Sequence, residues 1–537
     1  MAAFGGKVRL WTKWVMLLAV LPAAVAWAED SLSPSSGPTR VAVSADLGRL
    51  VLQATPQEGS AYPGMPGIGD LGLSLREAVL LTLKNNLDIA IANYNPKITA
   101  EGITIAKAVF DPVASLTADA NRTVTPVASG LAGATAESRI ENQDVNASLT
   151  QQLPIGGSYT LNLSNNRQFT NSSFALINPS YKTFLTLSIT QNLLKNFGPD
   201  VNTAAIKIAR INQAISVTQF RQQANQVITN VHNAYWNLVF AIENLEVQKR
   251  SLRLARELED LNKARVRAGV AAPVEVTQAE AQAAAQVQNV ILAEKAIKDA
   301  EDQLKLIINI PDGEKIWART ILPADAPPFE VVQVDADASI QEALEKRPEY
   351  AAAKLTLQNT DINLRVARNQ LLPSLQLQGS LGLNGLKDDL GGDYGRLTSG
   401  DFTSWSAALV LSYPLGNRSA RSAFVQARLT DDQARVSLLN LKRQIISQVR
   451  EGVRRIEADV RRVEATRAAR VLAEEQLRVE RKRLEAGVTT TFNVLSFQRD
   501  LAAAQASEIQ AITTYNQDLA NMEFVKGTVL EKNRLEL

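Results

Sequence analysis

The sequence predicts an α+β membrane protein, a transmembrane β-barrel continued by long coiled-coil helices. Three observations predict it. Six segments alternate apolar and small polar residues with period two. Two stretches, near 203–268 and 418–486, carry almost no helix breakers and repeat apolar residues in steps of three and four. The pattern is also written twice along the chain.

Composition narrows the function. The chain has 537 residues, Lys+Arg 57 against Asp+Glu 55, one His and no Cys. Hydrophobic residues are 45 % and charged residues 21 %, so a core can be buried. Without Cys there is no disulfide, thiolate metal site, Cys nucleophile or lipid anchor on Cys. His232 is the single imidazole, which excludes a multi-His metal site and leaves a Ser-His-Asp triad resting on one residue. His232 follows a seam position on a helix, so a packing or surface role is expected. The formal charge of +2 gives no reason to expect nucleic acid. No nucleotide loop and no paired-carboxylate site stands out, so no enzyme activity, metal or cofactor is expected.

Residues 1–28 read as a signal peptide. Lys7, Arg9 and Lys13 precede an apolar run from Trp14 to Ala26, and Ala26-Trp27-Ala28 supplies a small-x-small cleavage pattern. An uncleaved anchor helix is the alternative. Removing this segment takes three cations and no acid, so +2 becomes −1. Residues 29–70 are rich in Ser, Pro and Gly and read as an extended lead segment. No later segment has the roughly 18 consecutive apolar residues of a helical span.

The duplication rests on several alignments. Arg265-Val266-Arg267-Ala268-Gly269-Val270 matches Arg483-Leu484-Glu485-Ala486-Gly487-Val488 at an offset of 218. At that offset Ile228, Val231, Tyr235, Leu238, Ile242 and Leu245 fall on Ile446, Val449, Val453, Ile456, Val460 and Val463. Both series form a heptad seam. Upstream, Pro112 lies opposite Pro373 at offset 261, and Gln191-Asn192-Leu193 opposite Tyr413-Pro414-Leu415 at offset 222. The first copy therefore holds 39 extra residues among its strands. The expected divisions are 71–310 and 338–530, joined by a Pro-rich connector at 311–337 and followed by a tail at 531–537. The long helices mix both signs of charge, which suits a solvated coiled coil.

The strand segments lie near 113–121, 145–150, 159–164, 185–190, 375–383 and 405–413. Leu185, Leu187 and Ile189 alternate with Thr186, Ser188 and Thr190, and Trp405, Ala407, Leu409, Leu411 and Tyr413 share a face. One apolar and one polar face suits a membrane barrel with a wet interior; a half-buried sheet on a soluble domain is the alternative. A barrel closes at about eight strands, so chains with six must share one. Both ends of each strand set lie on one side, which requires an even number: four, then two.

The chain resembles the TolC-type outer-membrane efflux channel family over about 70–535. The resemblance is carried by Leu73-Ser74-Leu75-Arg76-Glu77-Ala78 with its echo Ala338-Ser339-Ile340-Gln341-Glu342-Ala343, by Leu371-Leu372-Pro373-Ser374, and by the two Ala-Gly-Val tips. It implies a homotrimer in the outer membrane of a Gram-negative bacterium, with a periplasmic helical extension. It further implies a periplasmic adaptor protein and an inner-membrane pump as partners in tripartite efflux or type I secretion. The implied adaptor-docking tips are Ala268, Gly269, Val270 and Ala271, with Ala486, Gly487, Val488 and Thr489. Glu275 and Glu280 are the implied tunnel-mouth residues, with Asn493 and Ser496 where the second copy would carry acids. Six strands per chain imply an 18-strand barrel rather than the family's usual 12, unless the extra hairpin leaves the wall. The rival reading is a secreted structural or adhesive coiled-coil protein without a pore.

Overall fold

A computed structural model describes residues 71–127, 137–310, 317 and 319–535. The expected signal peptide, lead segment and part of the connector lie outside the described residues. In chain order the elements are β1 (Leu71–Leu73), α1 (Leu75–Asn85), α2 (Leu87–Lys107), β2 (Val113–Pro126), β3 (Glu137–Leu153), β4 (Gly157–Thr170), β5 (Ser180–Asn192), α3 (Ala204–Arg267) and α4 (Pro273–Ile308). They continue as β6 (Ile321–Pro323), α5 (Ala336–Lys346), α6 (Pro348–Asn369), β7 (Ser374–Lys387), α7 (Leu390–Ser399), β8 (Thr403–Ser412), α8 (Arg418–Glu485) and α9 (Thr491–Lys526). The chain divides into a sheet unit, 110–199 with 373–413, and a helical unit made of the rest.

The sheet unit is one antiparallel sheet in the order β2-β3-β4-β5-β7-β8. Four strands precede the long helix α3 and two precede α8, the expected even numbers. All six strands join the one sheet, including the hairpin that the extra first-copy residues supply. Register turns the alternation into rows. Ala114, Leu149, Leu161, Leu187, Leu381 and Trp405 line up across the six strands. One residue along, Ser115, Ser148, Asn162, Thr186, Gly382 and Ser404 line up on the other face. The polar face is knitted by side chains: Asn166 donates to Asp144 (2.7 Å), and the Ser380 and Ser406 hydroxyls lie 2.8 Å apart. Among the described residues strands β2 and β8 each pair on one side only, and both are exposed along their full length.

Helix α7 packs on the leucine-bearing face, against β7 and β5. Asp389 caps it, accepting from the Gly392 amide at 2.8 Å. Gly385 leaves the space that the buried Asp393 occupies; a Cβ there would meet Asp393 Oδ1 at 2.3 Å. The Thr183 hydroxyl donates to Asp393, and Tyr394 donates to Asn165 at 2.8 Å.

In the helical unit α3 and α8 run for 64 and 68 residues, about 100 Å each at 1.5 Å per residue. Both seams are used. Ile228, Val231, Tyr235 and Leu238 are buried against Ala78, Val79, Leu304 and Ile308. Val449, Val453, Ile456 and Val463 are buried with Ala343, Ala511, Tyr515 and Met522. Helix α3 packs against α2 and α6 and, further along, against α4 and α9, while α8 packs against α6 and α9. Two side-by-side series result, α2-α3-α6-α8 and α4-α3-α9-α8.

The motif at 73–78 has a local cause. Ser74 and Glu77 form a capping box at the start of α1, with Ser74 N–H donating to Glu77 Oε2 at 2.9 Å. Its echo is placed differently. Asp335 caps α5 by accepting from Asp337 N–H at 2.8 Å, so Ser339 falls inside the helix. Parallel strands β1 and β6 form a small sheet beside α3. Tyr235, buried on α3, donates to Asp325 at 3.0 Å, and Asp325 accepts from Leu75 N–H at 2.7 Å. Burial raises the Tyr235 phenol well above its ordinary value.

Glu301 and Lys305, 1 % and 3 % exposed, form an ion pair at 2.9 Å on α4, and Glu301 also accepts from the Ile321 amide at 2.9 Å. Burial opposes the Glu301 charge, but Lys298, Lys305 and the amide outweigh it and hold its pKa down. Glu301→Ala should cost about 3 kcal/mol in urea unfolding, because Lys305 stays buried without its counter-charge. The paired variant Glu301→Leu/Lys305→Met should cost less.

Candidate functional site

The candidate site is the pair of helix-hairpin tips, α3 to α4 and α8 to α9. Each is built the same way. Val270 N–H donates to Arg265 O and Gly269 N–H to Val266 O, both at 3.0 Å. Val488 N–H donates to Arg483 O at 2.9 Å and Gly487 N–H to Leu484 O at 3.1 Å. These paired bonds close a Schellman cap, which needs a left-handed residue. Gly269 has φ +75° and Gly487 φ +73°, and no atom lies within 4 Å of a Cβ placed on either. Backbone conformation, not crowding, is what selects glycine there. Pro273 then starts α4.

The eight tip residues are presented outward. Ala268, Gly269, Val270, Ala486, Gly487 and Val488 are exposed, and Ala271 and Thr489 are half-buried. Val270 at 68 % and Val488 at 65 % exposure give each tip an apolar point.

The four mouth residues separate into different settings. The Glu275 carboxylate accepts from Thr491 Oγ1 at 2.6 Å. Thr491 is fully buried against Asn262, whose side chain donates to the Glu275 carbonyl at 3.2 Å. Glu275 thus ties the first hairpin to the start of α9. Glu280 pairs with Lys263 at 3.2 Å. Hydrogen bonds to Glu259 and Glu280 raise the Lys263 ammonium above its usual value. Asn493 is exposed and donates to Thr489 Oγ1 at 3.0 Å, while Ser496 is half-buried. Thr489 in turn donates to the buried Glu480, which also holds Arg483 at 3.1 Å.

Several ties between the hairpins carry no sequence signal. Arg481 on α8 reaches Glu257 on α3 at 3.1 Å, and Gln498 on α9 donates to the Leu254 carbonyl at 3.2 Å. Such pairs join residues more than 200 positions apart. His232 lies on α3 as a packed side chain, its pKa lowered by burial.

One buried acid stands out along α8. Asp459 is 7 % exposed, and its Oδ2 has no hydrogen-bond partner. Burial, together with the facing Asp518 carboxyl of α9, pushes its pKa up to about 6, against the opposing pull of Arg462 and Arg455. Beside Asp518 on α9, Gln517 turns to α3 and donates to the Asn233 carbonyl at 3.1 Å and to Asn237 Oδ1 at 2.7 Å.

The outer membrane efflux protein family matches residues 160–309 and 339–528. Nodulation protein T of Rhizobium leguminosarum bv. trifolii is 23 % identical over 305 residues, which is 56 % of this chain and 63 % of that relative's length. Outer membrane protein TolC of Vibrio cholerae is 23 % identical over 325 residues, 60 % of this chain and 72 % of that one. The Campylobacter jejuni CmeC outer membrane channel shares the fold with a TM-score of 0.62 at 16 % identity, over 90 % of this chain and 98 % of that chain.

Asp459 gives the helical unit a pH dependence of defined sign. Between the ordinary Asp value and about 6, the folded state holds a proton that the unfolded state has lost. Stability should therefore fall as pH rises through that window and level off above it. Asp459→Asn should flatten the slope and raise the melting temperature at pH 7, read by thermal melts from pH 4 to 8. Parallel curves for the two proteins would contradict the assignment.

Proposed function

The chain belongs to the outer membrane efflux protein family, and from that membership we propose that it is an outer-membrane exit duct. It passively conducts substrate from a periplasmic adaptor and inner-membrane pump to the outside, as part of a tripartite efflux or type I secretion system. A secreted adhesive coiled-coil protein without a pore is not favoured by this membership. Residues 71–310 and 338–530 are read as its two internal copies.

The observation that carries the reading is the two-faced sheet with two open edges. On β7 the apolar positions run from Leu375 to Leu383. That is eight steps, about 27 Å along the strand, or about 21 Å after a tilt of roughly 40°. This approaches the roughly 25 Å apolar band of outer-membrane barrels. Polar residues on the opposite face suit a water-filled lumen. The backbone groups at the free sides of β2 and β8 have to be paired before such a sheet can enter hydrocarbon.

The helices carry matching open edges. On α2, Leu87, Ile91, Tyr94, Ile98 and Ile105 are each more than half exposed and follow heptad spacing. On α8, Val425, Leu429, Val436 and Leu439 do the same. The segment α2–β2 thus offers one edge and β8–α8 the other. Two different edges meet head to tail, and head-to-tail contacts that close make a ring. Three copies, the number implied by the resemblance, would place eighteen strands around the wall.

The tips supply the partner surface. Their small residues let an adaptor helix approach closely, and Val270 and Val488 give it apolar area to cover. The Glu275–Thr491 tie sits just behind, where a change in hairpin packing would open the mouth.

A chain without cysteine allows a direct test of the ring. Ile98→Cys/Leu429→Cys should cross-link into trimers on oxidation, while neither single variant should. Cross-linked dimers from a single variant would overturn the head-to-tail arrangement. The detergent-extracted oligomer should migrate heat-sensitively and conduct in a planar bilayer; a soluble, non-conducting monomer would defeat the duct. Gly487→Trp should leave trimer assembly intact and abolish adaptor-dependent export, and normal export would sink the tip assignment.

A further inference from the structure

We propose that a second copy of this chain docks on the free face of α8 below its apolar seam, and that charge holds it there. Arg455 and Glu475 of one copy meet Asp299 and Lys263 of the next. This rests on the head-to-tail ring above. The two hairpins match in length. Helices α3 and α8 end at Arg267 and Glu485, and α4 and α9 run Pro273–Ile308 and Thr491–Lys526, so one offset of 218 carries the first hairpin onto the second. Inside the chain the first hairpin meets the second through α3 and α9. In a head-to-tail ring the second hairpin meets the first hairpin of the next copy through α8 and α4. A ring built from equal repeats uses one contact at both places.

The contact inside the chain is polar and specific. Gln517 on α9 donates to Asn237 Oδ1 at 2.7 Å, and Asn233 on α3 donates to Asn521 Oδ1 at 3.4 Å. Arg481 on α8 pairs with Glu257 on α3 at 3.1 Å. Shifted by 218, each pair lands on groups that attract. Asn237 and Gln517 become Arg455 and Asp299, Asn233 and Asn521 become Glu451 and Gln303, and Glu257 and Arg481 become Glu475 and Lys263. An amide pair inside the chain is thus matched by opposite charges between copies. Five of these six groups are exposed and Lys263 is half-buried. Their present ion pairs stay on their own hairpins: Arg455 with Glu451 at 2.5 Å and Asp518 at 3.9 Å, Asp299 with Lys295 at 2.5 Å, Glu475 with Arg478, and Lys263 with Glu259 and Glu280. Docking joins these pairs into networks, which hold better than isolated surface pairs.

Packing beside these pairs points to the same occupant. Leu254 and Leu258 of α3 join Leu495 and Leu501 of α9 in one apolar cluster. Their counterparts on α8, Leu472 and Gln476, are exposed, Leu472 at 63 %. The same helix face is covered on α3 and bare on α8. Two ties do not carry over. Thr491 and Gln498 correspond to Pro273 and Glu280, whose side chains have no N–H or hydroxyl to donate. The seam between copies therefore depends on charge, whereas the seam inside the chain rests mainly on neutral groups.

The test uses the detergent-extracted trimer. Its dissociation is read by native mass spectrometry, and folding of the chain by circular dichroism. Arg455→Asp and Asp299→Arg each set like charges across the seam and should speed dissociation roughly ten-fold at low salt. Arg455→Asp/Asp299→Arg should recover most of that loss. Such recovery marks a contact between copies, because α4 and α8 stand at opposite edges of the helix series within one chain. Added salt should shorten the lifetime of the wild-type trimer, and Arg455→Gln/Asp299→Asn should flatten that dependence. Additive effects of the two charge reversals, or a salt response as steep in the neutral pair as in the wild type, would overturn the proposal. The Ile98→Cys/Leu429→Cys cross-link is measured in parallel. Trimers that cross-link without charge coupling remove the charged seam and keep the ring, whereas a wild type that yields no trimer removes the ring and the seam together.

Discussion

An unpaired backbone amide or carbonyl in hydrocarbon costs several kcal/mol, and most of this architecture follows from that constraint. Strands β2 and β8 each leave a full row of such groups on one side. Among the described residues no further strand of the chain pairs with them. On the proposed reading closure comes from other copies, and the same two chain segments that carry the open strands also carry the open heptad seams of α2 and α8. One operation, repetition head to tail, therefore addresses both the polar edges of the sheet and the apolar edges of the helices. The two demands are chemically opposite: one is for hydrogen bonds, the other for burial of Ile and Leu.

Within the helical unit the same division of labour recurs. Heptad seams supply burial over most of the length of α3 and α8, but a seam alone permits sliding by a turn. Specific polar contacts fix the position. Tyr235 and Asp325 hold α3 to the strand-helix segment at 73–75, and Glu301 ties α4 to β6 through the Ile321 amide. At the tips Glu275, Thr491 and Asn262 do the same job, with Thr491 and Asn262 fully buried and Glu275 half-buried. A small apolar cluster, with Leu484, Val494 and Leu495 buried, backs these ties, and the Gly-Val points beyond it stand exposed.

The long elements were legible because their signals are long. Residues without breakers over sixty positions read as 203–268 and fold as 204–267. Alternation in β5, β7 and β8 marks strands whose faces are chemically distinct. In strand β3 the alternation is legible only at 145–150, because its far half, Glu137 to Asp144, is polar apart from Ile140 and hides the period. Helix α7 was missed altogether: Gly391, Gly392 and Gly395 give it poor helix propensity. It exists because Asp389 caps it and Gly385 makes room for Asp393, and neither fact shows in local sequence. At the site, the Gly of each tip was legible from its cap chemistry. The Glu275–Thr491 tie was not, since its partners are separated by 216 positions and no periodicity links them.

The hairpin that joins β3 and β4 into the sheet has a consequence for throughput. In a closed wall the radius grows roughly linearly with strand number, so the open cross-section grows as its square. Eighteen strands enclose roughly twice the area of twelve. With side chains of Ser, Thr and Asn lining it, such a lumen would have neither the width nor the chemistry of a filter. On the proposed reading, resistance to flow would then fall on the helix-hairpin tips, and the sheet would serve as a vent.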